Sequence, residues 1–381
     1  MPARSILCSM KLAASSYLGV CALALALTGC SSGDESATAG GSTVPPSDLD
    51  ELMGLGIDEF LGTVEPTGSE TITGVDGVAD GSIVYDFDPA SGPVCFRGAP
   101  YHMSVLDQGS ENLVIYLQGG GACLSVICAA ATEASPRGVP RSGVLDSTDA
   151  ENPVGDWNIV YVPYCDGSNF SGNNDFTDSQ GAVRLHHGQR NFSAALDRAA
   201  HHFPHPKKVL LAGSSAGGWG TVYQRALVRL RYPDAQFTVM NDAGIGFMTN
   251  LDFIVSEWGS QRYRPPSCAE CQTHAHLTRF VTYYFEHDPE VVVGDFSAWE
   301  DSVIMSFTFQ SDPAAFRKLL ADETGYIAAA VPDRYRRFIV NGSQHTALRS
   351  FHTTMQNGVS VAQWLGFMIN RDPAWVDMID Q

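Results

Sequence analysis

Apolar positions along the chain follow two alternating patterns. Asn112–Gln118, Trp157–Val162, Lys208–Ala212 and Gln236–Asn241 are short, continuous apolar runs rich in β-branched and aromatic residues. Such runs predict strands buried on both faces. Gly188–Phe203 and the stretch from the Gly-Ser turn at 213–217 to Leu230 instead place apolar residues every three to four positions, which predicts helices. Val303–Gln310 and Phe338–Asn341 are read as later strands. Pro163, Pro204 and runs of glycine punctuate the pattern. Short buried strands alternating with helices predict an α/β architecture, a mostly parallel central sheet covered by helices. Residues 252–295 break the rhythm with aromatics, Pro and Cys, and are expected to form a cap insertion over the site.

The first residues follow a different logic. Arg4 and Lys11 precede an apolar run from Leu12 to Leu27, which ends in Leu27-Thr28-Gly29-Cys30. A basic start, a short apolar core and a small-residue cleavage site describe an export signal, and the run is too short for a retained membrane span. The Leu-Thr-Gly-Cys pattern is that of a bacterial lipobox. It predicts removal of residues 1–29 and lipidation of Cys30, with the acyl chains as the membrane anchor. Ser31 after the anchor points to the outer membrane or cell surface. Residues 30–48 lack apolar periodicity and read as a flexible tether, leaving 49–381 as the catalytic domain.

Composition narrows the function classes. Hydrophobic residues make up 44% of the 381 positions, enough for a large core. The net charge of −19 sets the chain against nucleic-acid phosphates. Six of the nine cysteines lie beyond Cys30: Cys95, Cys123, Cys128, Cys165, Cys268 and Cys271. An even number in an exported chain predicts disulfides, whose connectivity spacing alone leaves open.

Gly213-Ser214-Ser215-Ala216-Gly217 matches G-x-S-x-G between a predicted strand and a predicted helix. That context exposes a serine hydroxyl at the end of the strand, so Ser215 is the candidate nucleophile and Ser214 a turn hydrogen-bonder. Gly119-Gly120-Gly121-Ala122 follows the first strand, and its amides, with that of Ala216, would hold an oxyanion. The base should follow the last strand, which selects His345 over His352. The acid should lie between serine and histidine. Asp312, after the run VIMSFTFQS, is the first choice and Asp242, after QFTVMN, the runner-up; the other role for Asp242 is to hold the nucleophile turn. Cys268-x-x-Cys271-x-x-His274-x-His276 could ligate zinc, but in an exported chain a disulfide is the commoner fate of such cysteines. Serine chemistry of this kind needs no metal and no organic cofactor.

Four segments, YLQGGGAC (116–123), YCDGSNFSG (164–172), GSSAGGWG (213–220) and NDAGIGF (241–247), resemble the pectin acetylesterase family, which includes the animal Notum carboxylesterases. They occur in the family's order. The resemblance implies an α/β-hydrolase fold and a Ser-Asp-His triad on Ser215, Asp312 and His345. It implies an oxyanion hole from Gly121, Ala122 and Ala216. It also implies the pairs Cys95–Cys165, Cys123–Cys128 and Cys268–Cys271. Ala122 is a departure, because the family carries a bulky aromatic after the glycines. Members remove acetyl groups from pectin or acyl chains from proteins. The expected activity is therefore hydrolysis of acyl esters, acetyl first, with acetylated polysaccharide as a candidate substrate. The rival readings are an esterase for longer acyl or lipid esters, a zinc hydrolase, and a binding lipoprotein on an inactive hydrolase scaffold.

Overall fold

The computed structural model describes residues 49–247 and 251–380. The expected leader, the lipidation site Cys30 and the tether to residue 48 lie outside them. The described chain is built on a ten-stranded sheet. Its strands are β1 (Gly68–Thr71), β2 (Ile83–Asp86), β3 (His102–Leu106), β4 (Asn112–Leu117), β5 (Asn158–Val162), β6 (Lys208–Ser214), β7 (Gln236–Asp242), β8 (Val292–Ala298), β9 (Tyr335–Val340) and β10 (Met378–Ile379). They lie in the order β1-β2-β3-β5-β4-β6-β7-β8-β9-β10. The pairings β1–β2, β2–β3 and β3–β5 are antiparallel; from β5 to β10 every pairing is parallel. A large, mostly parallel sheet covered by helices is the α/β-hydrolase type of fold.

The continuous apolar runs are explained by burial on both faces. Ile115, Leu117, Val160, Leu211 and Val239 point into one core, while Val114, Ile159, Leu210, Ala212 and Met240 point into the other. The first core is closed by α1 (Gly188–His202) and α2 (Ala216–Arg231) through Phe192, Leu196, Val222 and Leu227. The expected cap supplies α3 (Leu251–Trp258) and α4 (Thr278–His287) to the same side. Arg225 of α2 anchors α4: it donates to the Val281 carbonyl at 2.8 Å and lies 4.2 Å from the Tyr284 ring centroid. Burial pulls its guanidinium down to about 10, so it stays charged at neutral pH.

Two expectations are corrected here. The cap excursion stops at Val291, because Val292–Ala298 is β8, paired in the sheet between β7 and β9. The run Val303–Gln310 is not a strand. It forms α5 (Ser302–Phe307), started by the Asp301 carboxylate, which accepts the Val303 and Ile304 N–H bonds at 3.0 Å each. A good N-cap wins over the strand-like composition of a short run. Then follow α6 (Pro313–Ala330) and α7 (Val361–Ile369), the latter packing Trp364, Leu365 and Met368 into the second core. Three disulfides, Cys95–Cys165, Cys123–Cys128 and Cys268–Cys271, have the pairing the resemblance implied.

Candidate active site

The turn from β6 into α2 carries Ser215, at φ 56° and ψ −121°. This is a conformation that non-glycine residues avoid, and such strain persists only where the surroundings over-determine it. Here the Ser215 N–H donates to the Asp242 carbonyl at 2.7 Å, and the Ser215 carbonyl accepts from the Trp219 N–H at 3.1 Å. The helix also presses close to β4: a Cβ on Gly217 would stand 1.9 Å from the Leu117 carbonyl oxygen. Only glycine permits that approach, and it sets the start of α2 against the glycine turn after β4.

That turn reaches Gly121 at φ 82° and opens into a hairpin, Gly121–Cys123 against Cys128–Ala130, closed by the Cys123–Cys128 disulfide. Trp258 of α3 donates its Nε1–H to the Cys123 carbonyl at 2.9 Å, tying the cap to the hairpin. Gly121, Ala122, Ser215 and Ala216 line one pocket. Amides of a glycine turn and a helix start, gathered around a serine, are the groups that stabilise a developing oxyanion. Apart from Asn169 the rest of the lining is apolar: Leu124, Trp219, Phe247, Ile254, Ile304 and Phe307 are among its residues. With Ala122 in place of an aromatic, Leu124, Trp219 and Trp258 supply bulk to this wall.

His345 follows β9 and points its Nδ1 at a carboxylate, but the carboxylate is Asp301. Nδ1 lies 2.8 Å from Asp301 Oδ2 and 3.0 Å from Oδ1. Asp301 is 2% exposed and stands just beyond β8. The expected acid Asp312 is elsewhere, exposed and capping α6 by accepting from the Ala314 N–H at 2.9 Å. The carboxylate paired with the imidazole is therefore Asp301 and not Asp312. The strand that precedes this carboxylate is β8 and not the run at 303–310. Sequence reading could have found Asp301 from the apolar run 291–298 and the Asp three residues past its end. His352 pairs with Asp149 at 2.6 Å. Among the described residues no hydrogen bond joins the Ser215 hydroxyl to His345. Asp301 occupies Nδ1, so Nε2 is the nitrogen left to take a proton, and such contacts often close only with substrate bound.

The runner-up acid, Asp242, does not face the imidazole with its carboxylate. It is fully buried, and accepts from Ser214 Oγ at 2.5 Å, Ala347 N–H at 2.7 Å and Leu348 N–H at 3.0 Å. Its carbonyl holds Ser215. One residue thus braces both the nucleophile turn and the loop that carries His345. Burial pushes its carboxyl up to about 6. The sign follows: with the folded value above the ordinary 3.8, the native state holds this proton more tightly, so the stabilisation it brings is lost as pH rises from about 4 through about 6. Above that range the ionised brace is a cost to the fold. Asp242→Asn is expected to lower kcat by about 10²-fold with KM changed little, since the loops that carry Ser215 and His345 lose their register. Its thermal stability relative to wild type should improve as pH is raised from 4 to 7. A melting-temperature difference that is flat with pH would contradict this assignment of the proton.

Cys268 and Cys271 are joined in a disulfide, which takes both thiolates away from any metal, and His274 pairs with Glu323 at 3.1 Å.

Comparison with known proteins adds to this geometry. Residues 82–282 match the family model described as Pectinacetylesterase. The chain is 32% identical over 147 residues to pectin acetylesterase 4 of Arabidopsis thaliana, a match covering 36% of each chain. Against pectin acetylesterase 11 of the same plant it is 25% identical over 323 residues, covering 73% of this chain and 80% of that one. It is 27% identical over 224 residues to the palmitoleoyl-protein carboxylesterase NOTUM of Homo sapiens, covering 51% and 41%. The chain thus spans only about a third of the first of these relatives and two-fifths of the last.

Proposed function

Because the chain belongs to the pectinacetylesterase family, we propose that it is a serine carboxylesterase that hydrolyses short acyl esters, acetyl esters first. The observation that carries the reading is the pairing of two features. One is Ser215, held in a strained turn beside the Gly121–Ala122 amides; the other is His345, held through Nδ1 by a buried carboxylate. In the proposed cycle Ser215 Oγ attacks the acyl carbonyl while His345 Nε2 takes its proton. Asp301 keeps the Nδ1 proton in place and stabilises the imidazolium. The Gly121, Ala122 and Ala216 amides receive the oxyanion. The alcohol leaves with the proton from His345, and water then releases the acid from the acyl-enzyme by the same steps in reverse. The alcohol side is proposed to be an acetylated polysaccharide, in line with the relatives named as pectin acetylesterases. The test is hydrolysis of a chain-length series of chromogenic esters by wild type and Ser215→Ala. Serine-independent turnover would sink the proposal.

Export and anchoring at Cys30 to the outer membrane or cell surface belong to the same proposal. Three disulfides support an oxidising compartment. Cells fed radiolabelled palmitate should label the protein, and Cys30→Ser should abolish the label. Retained label on the variant would rule out this anchor.

A further inference from the structure

The segment YCDGSNFSG at 164–172 has no part in the proposed cycle, yet it is one of the most constrained pieces of backbone in the molecule. Asn169 and Phe170 are consecutive left-handed residues, at φ 53° and 65°. A buried carboxylate organises them: Asp166 Oδ1 accepts from the Ser168 N–H at 2.7 Å, from the Ser168 hydroxyl, and from the Phe170 N–H at 3.3 Å. Burial pushes the Asp166 carboxyl up to about 6, so the loop is built at an electrostatic cost. Strain and a buried carboxylate together in one loop call for a reason at the surface that the loop presents.

That surface is the pocket beside Ser215, which Asn169 lines. The residue is only 4% exposed. Its Oδ1 accepts from the Tyr164 hydroxyl at 3.3 Å, and its own N–H donates to the same hydroxyl at 3.1 Å. The phenol's single hydrogen is thereby spent on Oδ1, which fixes the amide's orientation. Nδ2 then has no hydrogen-bond partner among the described residues, and it is not sealed off from solvent. An amide donor held rigidly, without a partner, in a wall otherwise made of Leu124, Trp219, Phe247 and Ile304 is a polar point in an apolar pocket.

We propose that Asn169 is the residue that limits the acyl chain: its Nδ2 must keep a water or an acyl or ester oxygen as partner, so hydrocarbon long enough to cover it is rejected. The inference rests on the esterase reading and names the residue that sets its preference for short chains. A buried donor stripped of its partner is penalised far more than one methylene of extra contact is rewarded. The apolar pocket alone would favour longer chains, and Asn169 reverses that preference.

The experiment compares p-nitrophenyl acetate and octanoate with full-length protein in detergent, for wild type, Asn169→Gly and Asn169→Leu. Glycine keeps the left-handed backbone free of strain, and leucine replaces the amide with apolar bulk of similar size. Wild type should prefer acetate. Each variant should raise the octanoate-to-acetate ratio of kcat/KM by at least about tenfold, the order expected for removing one unpaired donor. A purely structural role would depress both esters equally, so a ratio within about twofold of wild type overturns the proposal. So does a wild type that prefers octanoate, whatever the variants do. Failure of the esterase reading shows separately, as turnover that survives Ser215→Ala.

Discussion

Asp301→Asn is expected to lower kcat on an ester substrate by about 10⁴-fold, the scale seen when the carboxylate of a serine triad becomes an amide, while Asp312→Asn leaves it within about twofold. The two substitutions are a fair contrast because both are near-isosteric and both residues cap helices. Asp312 caps α6 through the Ala314 N–H, and Asn caps a helix as well as Asp does. Asp301 caps α5 through Oδ1, which an asparagine oxygen can continue to do. With the amide oxygen on the helix, its NH₂ faces His345 Nδ1. That nitrogen then has to accept, the ring proton moves to Nε2, and the imidazole presents a donor to Ser215 where the reaction needs an acceptor. The fold persists and the chemistry stops. Steady-state kinetics with matched melting curves decide it: a large loss in Asp312→Asn with Asp301→Asn near wild type would restore the sequence-based choice of acid.

The sequence points to Asp312, and the structure pairs His345 with Asp301, for a local reason. Apolar runs buried on both sides were legible in the sequence, and β4, β5, β6 and β7 stand within a residue or two of their predicted positions. The turn at Ser215 and the glycine turn after β4 were legible because their backbone demands glycine at particular places. Val303–Gln310 has the composition of a strand but is short enough for one N-cap to decide its state, and periodicity cannot separate the two over so few residues. Reading it as a strand displaced one strand by about eleven positions from β8 and moved the expected acid with it, while β9 overlaps its expected place. The sheet's antiparallel margin was not legible either. Gly68–Thr71 is exposed along its whole length and has no apolar signature; it is a strand only because β2 lies beside it. Asp242 was named as acid or brace on the same evidence. Its partners, Ala347 and Leu348, lie more than a hundred residues away in the chain, a distance no local pattern reports.

Ser215→Ala should reduce ester hydrolysis by about 10⁶-fold, His345→Ala by a similar factor, and the double variant by no more than either alone. The reason is that the two act as one unit. Without the imidazole the hydroxyl at Ser215 has no group to take its proton; without the hydroxyl the imidazole has nothing to activate in the acyl-transfer step. What survives in all three is the pocket: the Gly121, Ala122 and Ala216 amides still face a bound carbonyl, and still favour attack by water over the uncatalysed reaction by roughly 10³- to 10⁴-fold. Additive losses would mean that serine and histidine serve separate steps, which would break the proposed cycle even if each residue proved essential. The strained backbone at Ser215 offers a check on the alanine variant. Alanine pays the same φ penalty as serine, and among the described residues no hydrogen bond passes through the Ser215 hydroxyl. Melting temperature should therefore stay close to wild type, and the lost rate can be read as lost chemistry.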